Sequence, residues 1–193
     1  MASSGLQLVT PATAQLFDIE KLRNRIRANS DQDTIIADLV DEACEKVGDD
    51  TRRQLLTATY LQSERAFDDE IALKKAPVQS VSSISYLGTD ASWHTVDPTV
   101  YRLANCVEPC IVTPAINQKW PLDVATGPDV VKIQFVAGWT TADLVPRGLR
   151  GAVAMLVGHW LEHPEAVIHG VNLAETPLGY EDAVVQHYYV WEF

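Results

Sequence analysis

The 193-residue sequence is short of several things. It has three cysteines, Cys44, Cys106 and Cys110. An odd count in a chain of this length gives no disulfide framework and fits a reducing compartment, and Cys106-x3-Cys110 is too isolated for a zinc site. Positive charge is scarce: 15 Lys+Arg stand against 26 Asp+Glu, a net charge of −11. That balance argues against a surface that grips nucleic acid, whose affinity comes from Lys and Arg on phosphates. No Lys or Arg follows Arg150, whereas Glu162, Glu165, Glu175, Glu181, Asp182 and Glu192 do. The start lacks the basic and continuously apolar segments of a signal peptide, and no apolar run approaches the length needed to span a bilayer. The expectation is a soluble protein made in a cytoplasm. There is no P-loop, no G-x-G-x-x-G and no G-x-S-x-G.

The strongest element is a helix expected over 146–163. Pro146 suits a first helical position. Leu149, Val153, Leu156, Val157 and Trp160 recur at three- and four-residue spacing as one apolar stripe, and Pro164 ends the pattern. Gly151, Ala154 and Gly158 form a second, small-residue stripe. Glycine in a helix costs about 1 kcal/mol relative to alanine, so this face is expected to receive a close neighbour, from the same chain or from another subunit. The same helix carries His159-Trp-Leu-Glu162-His163, an H-x-x-E-H pattern in which two histidines could ligate zinc and the glutamate act as general base. Against a zinc hydrolase stand the short length of the motif, Pro164 directly after it, and the lack of a third ligand that anything singles out among Glu165, Glu175 and Glu181. No catalytic residue, metal ligand or cofactor is therefore assigned.

Taken in order, residues 1–15 read as a loose N-terminal arm. A helix is expected over 18–28, with Leu22 and Ile26 on one face and Lys21, Arg23, Arg25 and Arg27 around it. This basic run is either a solvated face or a contact with an acidic partner. Ser30-x-x-Asp33 signals the N-terminus of a second helix over 31–47, with Ile36, Leu39, Val40, Ala43 and Val47 as its apolar face and Gly48 as its stop. From Thr51 to Trp139 alternation takes over: Leu55, Thr57, Thr59 and Leu61; Ile71 and Leu73; Val81 to Leu87, with a turn at Gly88–Asp90; Trp93 to Val96; Tyr101 to Leu103; Ile111-Val112; and Val131, Ile133, Phe135 and Ala137. The fold class expected is α+β: a helical bundle of two N-terminal helices plus the long C-terminal helix, with an inserted antiparallel β lobe over 51–139. Residues 16–187 are expected to form a single domain, with a last short helix near 178–186. Residues 188–193, Tyr-Tyr-Val-Trp-Glu-Phe, are unusually apolar for a terminus. They either pack on their own domain or fill a groove on a partner.

Several ordered segments together resemble the head–tail connector (adaptor) proteins of long-tailed bacteriophages and gene transfer agents. They are residues 35–47, Arg53 to Tyr60, the Ala76-Pro-Val-Gln-Ser-Val-Ser-Ser-Ile-Ser-Tyr86 segment, Asp97-Pro-Thr-Val-Tyr-Arg102, Trp120-Pro121, Phe135-Val-Ala-Gly-Trp139, and Leu156 to Val167. Together they span about Ile19 to Trp191. The resemblance implies a non-enzymatic structural protein of the virion neck, made in the bacterial host. It implies a closed ring of about a dozen copies that joins the portal protein at the capsid vertex to a stopper or tail-terminator protein. DNA would pass through the ring without specific binding, and no membrane is involved. It also implies a C-terminal portal-docking tail, here Tyr188, Tyr189, Val190, Trp191 and Phe193, and it makes His159 and Glu162 part of a structural helix end.

Overall fold

The computed structural model describes residues 5–163 and 179–191, and divides them into two compact units. The first unit is built on β1 (Gly5–Thr10) and residues 57–139, and includes Val190 and Trp191. The second takes residues 14–56 and 140–189. A single domain from 16 to 187 was expected; the contacts instead group the chain as these two units.

The first unit is all antiparallel. Its larger sheet runs β1-β2-β8-β4-β5, with β2 at Ala58–Glu64, β4 at Val78–Leu87, β5 at Trp93–Thr95 and β8 at Val131–Ala137. A smaller sheet runs β3-β7-β6, from Ile71–Ala72, Ile111–Pro114 and Tyr101–Ala104. Strand β8 is the middle of the larger sheet, pairing Phe135 with Tyr60 on one side and with Val81 on the other. Its Val131, Ile133, Phe135 and Ala137 are all buried, as their alternation requires of one face turned to a core. Tyr60 and Phe135 stack there at 5.9 Å.

Two expectations in this unit are overturned. Residues 5–10 are not a loose arm: they form the edge strand β1, with Gly5 opposite Ser63 and Leu8 opposite Tyr60. An edge strand buries little: Leu8 and Val9 are both about half exposed, so no alternation marks it in the sequence. The β lobe is accordingly not a pure insertion, since one of its strands precedes the first helix. Strand β2 is also inverted by one residue. Its buried positions are Ala58, Tyr60 and Gln62, not Thr57, Thr59 and Leu61. A buried glutamine hides the true phase. Gln62 is fully buried because its amide donates to the Ala72 carbonyl at 2.9 Å and its oxygen accepts from Lys74 N at 3.0 Å, replacing the water it gave up.

Three of the segments that carried the family resemblance form structural joints in this unit. Asp97 Oδ1 accepts from Thr99 N and Oγ1 at 2.8 and 2.7 Å, closing the Asp-Pro turn. Trp120 stacks on Phe67 at 4.6 Å and donates from Nε1 to the Asp68 carbonyl at 2.9 Å. Gly138, at φ 103°, donates to the Pro77 carbonyl at 2.8 Å.

In the second unit, α1 (Ile19–Ile26), α2 (Asp33–Thr51) and α3 (Arg147–Glu162) pack on one another. Asp18 caps α1 by accepting from Lys21 N at 3.2 Å. The cap expected at Ser30 lies one residue earlier: Asn29 precedes a 3₁₀ turn, and Gln32 Oε1 accepts from Asn29 N at 3.0 Å. Gly48 does not end α2. The helix runs on to Thr51 and closes with Arg52 in the left-handed region at φ 56°. Glycine is needed at 48 for another reason. The chain folds back so tightly that a Cβ there would lie 2.8 Å from the Arg53 carbonyl oxygen. Every member of the expected stripe on α3, from Leu149 to Trp160, is buried. Of the cysteines, all thiols, Cys110 is buried and Cys106 exposed; burial, reinforced by Asp41, pushes the half-buried Cys44 thiol up to about 12.

The small-residue stripe of α3 turns out uneven. Ala154 is buried, and a Cβ on Gly158 would meet Ile26 of α1 at 3.7 Å, an ordinary contact, while at Gly151 it would meet nothing within 4 Å. Gly151→Ala should therefore raise stability by about 0.5–1 kcal/mol through helix propensity. Trp160, only 6% exposed, should cost about 3–5 kcal/mol when replaced by alanine. Denaturant melts of the two variants check both signs; a Gly151→Ala protein less stable than wild type would mean that this face is covered.

Candidate docking segment

The segment expected to dock on a partner starts inside the second unit. From Gly179, at φ 88°, the chain enters a π-helical turn at Glu181–Val185 and then α4 at Gln186–Tyr188. Tyr180 is its anchor. It is 1% exposed and donates from its hydroxyl to Asp50 Oδ2 at 2.8 Å. Lys46 pairs with the same carboxylate oxygen at 3.0 Å and lies 5.8 Å from the centre of the Tyr180 ring. Burial first, then the hydrogen bond and charge of Asp50, hold the Tyr180 phenol well above its ordinary range. Lys46, Asp50 and Tyr180 line a shallow cavity of about 280 Å³ with Glu181, Val185 and Gln186.

The anchorage continues along α4. Arg53, from the loop after α2, donates from Nε to the Tyr188 carbonyl at 2.7 Å, a charge-assisted cap on a helix C-terminus. The Arg52 guanidinium lies 5.2 Å from the centre of the Tyr189 ring. The Tyr188 ring lies on the backbone of Gly148 in the first turn of α3: a Cβ there would come within 2.5 Å of the phenol oxygen and 2.8 Å of Cε2. The tail as expected is thus divided. Tyr188 and Tyr189 are half-buried and held by the helices of their own unit, and Val190 is buried, so these three are not a free docking surface. Trp191 is 68% exposed, and Phe193 lies outside the described residues.

The other expected sites are scattered. His159 and His163 stand with ring centres 4.9 Å apart at the end of α3; Glu165 and Glu175 lie outside the described residues, as does Pro164. Among the described residues no three His, Cys, Asp or Glu side chains are grouped to hold a metal ion, and no helix is long and apolar enough to cross a membrane. In the basic run, Arg23 is taken by Asp33 at 2.7 Å, whereas Lys21, Arg25 and Arg27 are exposed. Sequence reasoning missed Asp50, Arg52, Arg53, Gly148 and Tyr180, all of which join segments about 40 to 135 residues apart. The Gly179-Tyr180 pair is the one local sign of them in the sequence.

The Tyr180–Asp50 contact has a pH signature. In the unfolded chain the phenol ionises near its ordinary value of 10.0, whereas in the folded chain its pKa is raised. The contribution is complete below pH 10 and declines as pH climbs above it, because the unfolded state then gains by losing the proton. Tyr180→Phe should cost about 1 kcal/mol at pH 8. The cost should shrink by about 1.4 kcal/mol per pH unit above 10. Urea melts from pH 8 to 11.5 measure this; a gap independent of pH would show that the folded phenol ionises freely.

No family model matches this chain, and no curated protein does. Solved structures do. A chain in the neck of an empty gene transfer agent particle, computed with C6 symmetry, superposes with a TM-score of 0.77 at 19% identity, over 98% of this chain and 97% of that one. A chain of the virion of a native gene transfer agent particle gives 0.76 at 19% identity, over 97% and 96%. A chain in the neck of the native particle, computed with C12 symmetry, gives 0.74 at 20% identity, over 98% and 97%. At these identities the likeness establishes a shared fold, from one end of the chain to the other.

Proposed function

We propose that this protein is a non-enzymatic structural subunit of the neck of a tailed-phage-like particle. In this reading it is a connector: copies close into a ring that seats on the portal, carries the stopper or tail-terminator, and lets DNA through. The observation that carries the reading is the end-to-end agreement of fold with chains taken from particle necks, both units included. The C6 and C12 symmetries under which those necks were computed support a cyclic assembly. The acidic balance of −11 supports a wall along which a polyanion slides without being held. A zinc hydrolase built on His159, Glu162 and His163 has no such support.

Within this reading the portal contact falls to Trp191, the exposed aromatic of the segment. Aromatic anchors of this kind dominate interface energetics, since they bury much area with few rotors. Removal of residues 188–193 would unseat Tyr188 from Gly148 and so would damage the fold as well as the contact. Trp191→Ala is the cleaner change. Full-length protein is expected to co-sediment with portal-bearing heads and to leave DNA unbound at physiological salt. Trp191→Ala is expected to melt like wild type but to bind heads at least about tenfold more weakly, the loss of a hot-spot side chain. Wild-type protein that ignores the heads overturns the connector reading; a Trp191→Ala variant that binds normally moves the docking surface elsewhere.

A further inference from the structure

The outer face of α2 is acidic along its length. With Ile36, Leu39, Val40, Ala43 and Val47 buried, the helical period turns Asp38, Asp41, Glu42 and Glu45 to the opposite side, and all four are exposed. They stand three and four residues apart, the spacing at which like charges on a helix repel. A solvated helix normally relieves this with interleaved lysines. Here the single cation of α2, Lys46, is engaged with Asp50 at 3.0 Å. Among the described residues none of the four carboxylates has an ion-pair partner. Ile35, 53% exposed, borders the same face.

The complementary surface is on the same unit. Helix α1 and its cap expose Lys21, Arg25 and Arg27. Arg23 is spent on Asp33, and Lys21 reaches only its own capping residue, Asp18, at 3.7 Å. The two helices are in contact, so the basic and acidic faces are carried at a fixed relation to each other, yet Arg25 and Arg27 do not turn in to neutralise α2.

Each copy carries −11, so copies repel one another unless local charges of opposite sign meet. We propose that neighbouring copies associate head to tail through these two patches, the α1 cations of one against the α2 carboxylates of the next. This deepens the ring reading and rests on it. A cyclic ring needs two different patches, each used once per copy, and this unit supplies one of each sign. The contact sets orientation and rate of assembly and weakens with salt.

The test uses two charge-reversed forms of the full chain. One carries Arg25→Glu with Arg27→Glu, the other Glu42→Lys with Glu45→Lys. All four positions are exposed, and circular-dichroism melts should match wild type. Wild-type rings are counted by native mass spectrometry, alone and on portal-bearing heads. Each variant by itself is expected to lose rings by roughly tenfold or more. An equal mixture of the two is expected to recover them, with even copy numbers, because each reversed patch then faces its opposite on the alternate copy. Rings from each variant alone overturn the contact and leave the acidic face to line the DNA passage or to meet another neck protein. A folded mixture that fails to recover rings also overturns it. Wild-type protein that stays monomeric both alone and on heads overturns the ring reading itself.

Discussion

Strand β8 sets the register at the centre of the larger sheet. It is hydrogen-bonded along its length to β2 on one side and β4 on the other, and its inward side chains are buried without exception. A slip of one residue would turn Phe135 and Ile133 out to the opposite face on both ladders at once. The irregularities that the sheet does contain lie in β4, between Val78 and Ser80 and between Val81 and Ser83, and in the edge strand β1, between Leu8 and Thr10, and so bend other strands while the central one stays regular. The smaller sheet and the aromatic cluster of Phe67, Tyr86 and Trp120 belong to the same core.

What could be read from the sequence follows from how strongly a residue's own neighbours constrain it. The apolar stripe of α3 and the alternation of β8 were legible because each is buried on one face only, and the pattern repeats several times. The two N-terminal helices were legible for the same reason, although the caps of the second lie a residue or more from Ser30 and Gly48. The phase of β2 was hidden because one of its core positions is Gln62, a polar side chain whose partners, Ala72 and Lys74, lie ten and twelve residues away. Strand β1 was hidden because an edge strand has little to bury. The C-terminal segment was half legible. Its aromatic density was plain, but what holds it comes from Asp50, Arg53 and Gly148, and no local pattern announces contacts across such distances.

Electrostatics and packing divide the work in the helical unit. Apolar burial along α2 and α3 supplies cohesion, and nearly every charged group that is partly buried is matched: Arg23 with Asp33, Lys46 with Asp50, Arg150 with Asp143. Among the described residues, α1 and its cap leave Arg25 and Arg27 exposed and α2 leaves Asp38, Asp41, Glu42 and Glu45 exposed, none with an ion-pair partner. Exposed ion pairs within one chain add little stability, so this sorting is of small consequence to the fold; its physical effect is on the approach of other charged surfaces.

The distribution of sulfur makes the molecule convenient to observe. Of its three thiols, Cys110 is closed to reagents by burial and Cys44 stays protonated at any ordinary pH, with its pKa near 12, while Cys106 stands exposed in the loop before β7. Since thiolate is the reactive form, a maleimide dye applied near neutrality will mark Cys106 alone. The unaltered protein thus accepts a single fluorophore on its β unit, and energy transfer between labelled copies can report their spacing as an assembly grows.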